Sequence, residues 1–291
     1  MNMEKVLAFD IGATNTRLAL INNYLEVEME IIRPTPLDDA KKFMENCIEM
    51  INLFPLGNVV AIGAGVPGVV EREKGVILDL PNVHIKNVKF CEILNKKFNL
   101  PVFIRNDAEV ACLGEAYLGA GKDHERVFFI TISTGLGGAL CVDKKCQDYV
   151  TEIGHTLFTY KNTVQEYSII SGRKIGDLAK LNGSTITEPK KIFEEIRNRT
   201  KLGKKLRREF IFILDSFIKL IDNSYSPDII CLTGGIFNQK DLFFNKLRKL
   251  NKTINMVECK FGTRAGIIGA GTYAFQCAKI IWFIFFNGIY Y

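Results

Sequence analysis

The sequence lacks any pair of cysteines spaced as CxxC, any apolar run long enough to cross a membrane, and any charged-then-apolar leader at its start. Its eight cysteines, Cys47, Cys91, Cys112, Cys141, Cys146, Cys231, Cys259 and Cys277, are scattered, which argues against a zinc ribbon and for buried thiols in a reducing compartment. MNMEKVLAFD enters a strand almost at once, so a cytoplasmic location is expected. The most apolar run, IIWFIFF at 280–286, falls far short of the roughly 20 residues of a span. Flanked by Lys279 and Asn287, it reads as a docked or partner-facing tail, consistent with a homodimer, and no membrane partner is expected. Charge is also short of any extreme: 38 basic against 32 acidic residues leave +6, which suits a protein handling anionic ligands. The densest basic cluster, KLGKKLRR at 201–208, comes without a recognition-helix pattern or a second basic patch. It reads as the solvated face of a helix, and nucleic acid is not an expected partner.

What is present is a globular composition, 47% hydrophobic and 24% charged, over 291 residues, a length that fits two domains of about 150 residues each. VLAFDIGATNTRLAL, Val6 to Leu20, is a strand, a turn of small residues and a second strand, and LEVEMEII (Leu25 to Ile32) alternates as a half-buried third. Helical spacing from Asp38 to Phe54 predicts an amphipathic helix; the strand VVAIGAGV, the short strand GVILDL, a helix near Phe90 to Phe98 and the strand VFIRND follow. RVFFITISTGLGGALCV (Arg126 to Val142) then repeats the opening pattern. IICLTGGIF (Ile229 to Phe237) ends a strand and opens a helix, and TRAGIIGAGTYAF (Thr263 to Phe275) is a small-residue helix able to lie close to another backbone. The predicted class is α/β, duplicated, with glycine-rich turns on both sides of a cleft.

Two stretches carry candidate chemistry. In VFIRNDAEVACLGEA, Asn106 and Glu109 have capping-box spacing, which a purely structural cap would explain. The same cap places Asp107 at the first helical position, at the carboxyl end of a strand, where an ionised carboxylate is suited to take a proton from an attacking alcohol. In EIGH, Glu152 and His155 could, with Asn106 and Asp107, pair the hydroxyls of a polyol, although an isolated histidine is more often a core residue; Glu166 is a weaker addition. The opening turn has two readings, a plain hairpin or an anion-facing loop in which Asp10 holds a cation, and that motif alone leaves both open.

DIGATNTR, GVPG, NDAEVACLGEA, STGLGGA, EIGH, SGR and LTGGI, in this order over nearly the whole chain, resemble the ROK family of sugar kinases within the actin/hexokinase/Hsp70 ATPase superfamily. The resemblance implies a two-lobed, actin-like (ribonuclease H-like) α/β fold with duplicated mixed sheets flanked by helices. Residues 1–114 would form the N-terminal lobe and 115–265 the C-terminal lobe; 266–291 would be a helix and tail, the helix packing back on the N-terminal lobe. It implies ATP, Mg²⁺ at Asp10, and phosphoryl transfer to a hexose hydroxyl, glucose first, with N-acetylmannosamine, fructose or allose kinases and a non-catalytic sugar sensor as alternatives. By motif position it puts Asp10, Gly12, Thr14 and Arg17 in a first phosphate loop, Thr134, Gly135 and Gly137 in a second, and Gly234 with Gly235 at the adenosine. Asp107 becomes the catalytic base, and the sugar falls to Gly68, Asn82, Asn106, Asp107, Glu152, His155 and Glu166. Two features depart from the family pattern. The cysteine-rich zinc motif that many members carry after EIGH reads here TLFTYKNTVQEYSIISGR, so no zinc is expected and packing must order that loop. No helix-turn-helix precedes the first strand, which disfavours the repressor branch.

Overall fold

The computed structural model describes residues 3–80, 83–148 and 152–278. Asn82, expected at the sugar, and the apolar run from Ile280 lie outside the described residues. The chain divides into two compact units, Met1–Tyr117 with Arg264–Tyr291, and Leu118–Thr263.

The first unit opens with β1 (Lys5–Ile11), β2 (Asn15–Asn22) and β3 (Val27–Pro34), the antiparallel start that the alternation predicts. Helix α1 (Ala40–Ile51) follows, its free N–H groups met by Asp39, whose carboxylate accepts from Lys41 N and Lys42 N at 3.0 Å. Then come β4 (Val59–Val66), a small meander of β5 (Val69–Glu71), β6 (Val76–Leu80) and β7 (Ile85–Val88), helix α2 (Phe90–Phe98), β8 (Val102–Asn106) and α3 (Asp107–Tyr117). The main sheet has the order β3-β2-β1-β4-β8, with β1, β4 and β8 parallel, so their carboxyl ends share one edge.

The second unit repeats this plan. It runs through β9 (Arg126–Ile132), β10 (Leu136–Val142), β11 (Lys145–Cys146), the hairpin β12 (Leu157–Tyr160) and β13 (Thr163–Glu166), α4 (Ile175–Leu181), α5 (Pro189–Arg197), α6 (Lys201–Tyr225), β14 (Ile229–Thr233), α7 (Phe244–Leu250) and β15 (Met256–Glu258). Its sheet, β11-β10-β9-β14-β15, is again three antiparallel strands followed by two parallel additions. The basic cluster at the start of α6 is a solvated helix face, with Lys204, Lys205, Arg207 and Arg208 exposed and Leu206 buried. LTGGIF opens a 3₁₀ turn, Phe237–Leu242, before α7, a tighter element than the expected helix.

Helix α8 (Ala265–Cys277) belongs to the first unit. On one face of its main sheet, Leu7, Phe9, Ile11 and Leu18 pack with Phe43, Met44 and Phe90 of α1 and α2. The other face is kept flat by small residues, because a Cβ at Gly63 would lie 2.2 Å from the Ala270 carbonyl of α8. The α3–α8 contact is closer still. A Cβ at Gly269 would meet the Val110 carbonyl at 1.6 Å, and one at Gly114 would meet Gly269 N at 3.0 Å. Gly269→Ala therefore forces the two helices apart, and an expected loss of about 2–3 kcal/mol follows from overpacking. Denaturant unfolding checks this; an unchanged midpoint would show that the two helices separate at no cost.

Candidate active site

In the first unit the candidate residues gather at the shared carboxyl edge. The register sets Asp10 of β1 level with Gly65 of β4, and Gly65 level with Arg105 of β8. With strands about 4.8 Å apart, this brings the end of β1 within two strand spacings of the β8–α3 junction. Asn106 caps α3, its Oδ1 accepting from Ala108 N at 3.0 Å while its Nδ2 donates to Gly68 O at 3.2 Å. Gly68 has φ of 85°, a left-handed turn that aims its carbonyl at this junction. Asp107 is the first residue of α3, half-buried, with its Oδ1 2.8 Å from Ala108 N.

Asp10 is the strained member. Burial first, then the Asp107 carboxylate, push its carboxyl up to about 6 from 3.8, with Glu30 adding to the rise and Arg17 opposing it. It lies against the first turn of α8, where a Cβ at Gly266 would come within 2.8 Å of its carboxylate. Arg17, its cross-strand partner, sits 3.8 Å from Glu30, and Glu30 also accepts from Arg264 at 2.5 Å. The turn after Asp10 closes through Gly12 N on Asn15 O at 2.9 Å and leaves Thr14 exposed. Thr35 holds it from the side: its N–H donates to Thr14 O at 3.0 Å and its hydroxyl to Gly12 O at 2.7 Å.

In the second unit, the turn between β9 and β10 closes through Ser133 N on Gly135 O at 2.8 Å, with Thr134 and Gly135 exposed and Gly137 paired with Thr131. The SGR segment grips the turn's backbone, Gly172 N donating to Ser133 O at 2.7 Å and Arg173 N to Thr134 O at 3.0 Å. Gly234 follows β14 with φ of 111°, where a Cβ would strike Ile132 O at 2.4 Å; Gly235 lies beside Ser133. Thr134, Gly135, Gly137, Gly234 and Gly235 are thus brought together. A separate cluster joins the EIGH segment to Glu166: His155 Nδ1 is 3.0 Å from Glu166 Oε2 and Nε2 is 3.5 Å from Glu152. The same Glu166 oxygen accepts from Lys174 at 2.5 Å and Ser168 at 2.8 Å. The Lys174 ammonium, then the Ser168 hydroxyl and the His155 ring, hold the Glu166 carboxyl at about 2, well below 4.5.

A family model described as the ROK family matches residues 6–270. The chain belongs to the ROK family. Among curated relatives, glucokinase of Streptomyces coelicolor is 23% identical over 313 residues, covering 94% of this chain and 98% of the relative. Xylose repressor of Caldicellulosiruptor bescii is 29% identical over 171 residues, covering 55% of this chain and 43% of the repressor. The ROK hexokinase structure from Thermus thermophilus superposes with a TM-score of 0.82 at 21% identity, covering 94% of this chain and 99% of that one. A ROK glucokinase from Streptomyces griseus, solved with glucose and AMPPNP, gives 0.75 at 22% identity, covering 94% and 99%. The fold is therefore the α/β, actin-like one that these ROK structures share.

Within this ROK chain two expectations are corrected. Glu109 is no simple capping partner: it is buried and accepts from Arg105 Nε at 2.7 Å, an ion pair that ties the end of β8 to the first turn of α3. Packing does order the EIGH loop, since a Cβ at Gly154 would strike Leu136 O at 2.1 Å and Phe158 stacks on Tyr167 at 4.4 Å, but the Glu166 network shares that task. Thr35, Glu30, Arg264, Lys174 and Gly266 were missed by sequence reasoning, because each acts on a residue distant along the chain.

A carboxyl held below its ordinary value contributes stability that is present above 4.5 and lost as the pH falls towards about 2. Glu166→Gln is therefore expected to melt lower than the parent at pH 5–7, by no more than about 1 kcal/mol for so exposed a network, with the gap closing below pH 4.5. Paired melting curves across this range check it; a gap that persists unchanged to pH 3 would assign the loss to something other than charge.

Proposed function

We propose that this ROK protein is a cytoplasmic, ATP-dependent sugar kinase that transfers the γ-phosphoryl group to a hexose hydroxyl, glucose first. The observation that carries this reading is the pair of carboxylates at one sheet edge, Asp107 at a helix start and Asp10 raised towards neutrality by burial first and by Asp107 second. A hydroxyl has a pKa far above neutrality, so its oxygen attacks the γ-phosphorus only as its proton leaves; Asp107 accepts that proton and ADP departs. The Arg105–Glu109 pair fixes the strand-to-helix junction, and the Asn106 cap holds Asp107 at the helix N-terminus, where the carboxylate form is favoured.

The residues present fit a magnesium ion. Asp10 offers a hard oxygen ligand whose charge is disfavoured when unpaired, and no group of three or more His, Cys, Asp or Glu among the described residues forms a full protein cage. Mg²⁺ takes one or two carboxylates and completes its shell from water and substrate phosphates. When bound, such an ion neutralises charge spreading over the phosphoryl oxygens. Zinc has no part in this proposal. The turns at Gly12, Thr14 and Arg17 and at Thr134, Gly135 and Gly137 supply N–H groups and hydroxyls for phosphate, and Gly234 with Gly235 line the adenosine. For the sugar we assign Gly68, Asn82, Asn106 and Asp107 together with Glu152, His155 and Glu166, whose donors and acceptors suit a polyol.

The likeness to a xylose repressor favours a second reading, a sugar-binding protein without turnover. A placed base has no purpose there. An ADP-release assay over a panel of hexoses, N-acetylmannosamine included, separates the two readings and ranks the acceptors. In the same assay Asp107→Asn should lower kcat by about 10²- to 10⁴-fold while changing the sugar KM by less than about 3-fold. A fall in kcat below about 10-fold would remove Asp107 from the role of base.

A further inference from the structure

Strand β11 is the outer edge of the second unit's sheet, joined to β10 by a two-residue turn at Asp143 and Lys144. Both turn residues are left-handed, with φ of 50° and 59°, as a tight type I′ hairpin requires. The register places Cys141 directly opposite Cys146, and their sulfurs are 3.1 Å apart. The ladder bond from Gln147 N to Leu140 O, at 2.8 Å, falls on the neighbouring pair of residues. Hydrogen-bonded and non-hydrogen-bonded pairs alternate along an antiparallel ladder, so Cys141 and Cys146 form the non-hydrogen-bonded kind, with Cα atoms about 4.5 Å apart. That separation lies inside the range a disulfide spans without backbone movement. No disulfide joins them in the structure; Cys141 is buried and Cys146 half-exposed on the edge strand.

We propose that Cys141 and Cys146 are a reversible redox modification site that closes into a cross-strand disulfide by exchange with a small-molecule disulfide such as oxidised glutathione. The accessible Cys146, as thiolate, attacks one sulfur of the reagent, breaking its S–S bond and releasing one thiol. Cys141, as thiolate, then attacks the Cys146 sulfur of the mixed disulfide, forming the protein S–S bond and expelling the second thiol. Two protein thiols are oxidised and one reagent disulfide is reduced to two thiols. The inner partner of the hairpin is β10, the strand that leaves the Thr134–Gly137 turn, so the bond fixes the edge of the strand on which that turn is built.

The test uses the whole native protein in glutathione buffers of graded oxidation, with free thiols trapped by alkylation before denaturation. Trypsin cuts after Lys144 and Lys145 and separates the two cysteines. Oxidation should link the two resulting peptides, with a loss of about 2 Da relative to their reduced sum. Dithiothreitol should reverse the link, and Cys146→Ser should abolish it. Both cysteines alkylated at every buffer ratio, a mixed disulfide at Cys146 that never resolves, or Cys146 linked to any other cysteine would each overturn the proposal.

Discussion

A buried carboxylate, Asp10, shares one sheet edge of the first unit with a second acid, Asp107. Asp10 ends β1 and Asp107 opens α3 beyond β8, with the glycine-bearing strand β4 between them. Burying a carboxylate is costly, a like charge nearby adds to the cost, and together they lift Asp10 to about 6. Arg17 compensates in part from across the hairpin, and Glu30 and Arg264 hold it in a chain of alternating charge. The first turn of α8 closes the other side, where Gly266 leaves room for the Asp10 carboxylate. A fold that served only stability would replace one of these acids with a neutral residue. That both stand there is the physical reason for reading the edge as a place for a cation and a proton transfer.

The second unit shows the same plan with the charge removed. Its hairpin turn also ends a buried strand and also leaves two residues exposed, yet β9 closes on Thr131 and Ile132 where β1 closes on Asp10 and Ile11. The turn there offers N–H groups and a threonine hydroxyl without an acid to repel an anion. The two repeats differ at this position, where the first copy carries the acid and the second a neutral residue. The Glu166 network adds a fixed negative charge satisfied by Lys174, Ser168 and His155, which orients the histidine ring.

Much of this was legible in the sequence because the relevant signals are local. A strand ending on an acid and followed by small residues, its repetition at Ile132, and the Asn106 cap all lie within a few residues of the groups they position. Alternation and helical spacing gave the main elements of the first unit for the same reason, but not the short strands β5 and β7. The partners that tune the site were not legible. Glu109 lies four residues from Arg105 and three from Asn106, spacings that fit an ion pair and a cap equally well, so only the buried Arg105–Glu109 contact distinguishes them. Thr35 reaches back to Gly12, and Arg264 to Glu30, contacts that no periodicity encodes. The hairpin of β12 and β13 turns on Lys161 and Asn162 in left-handed conformations, without the glycine that would have announced it.

The most direct test of the carboxylate pair is the Mg²⁺ dependence of the initial rate of ADP formation, at saturating hexose and ATP, for the parent protein and Asp10→Asn. If Asp10 organises the cation that accompanies the phosphates, the variant keeps its melting temperature within a few degrees. Its turnover falls at least about 10-fold, and its half-saturating Mg²⁺ concentration rises by about 10-fold or more. Superimposable Mg²⁺ curves for the two proteins would contradict the account and return the turn after β1 to the status of an ordinary hairpin.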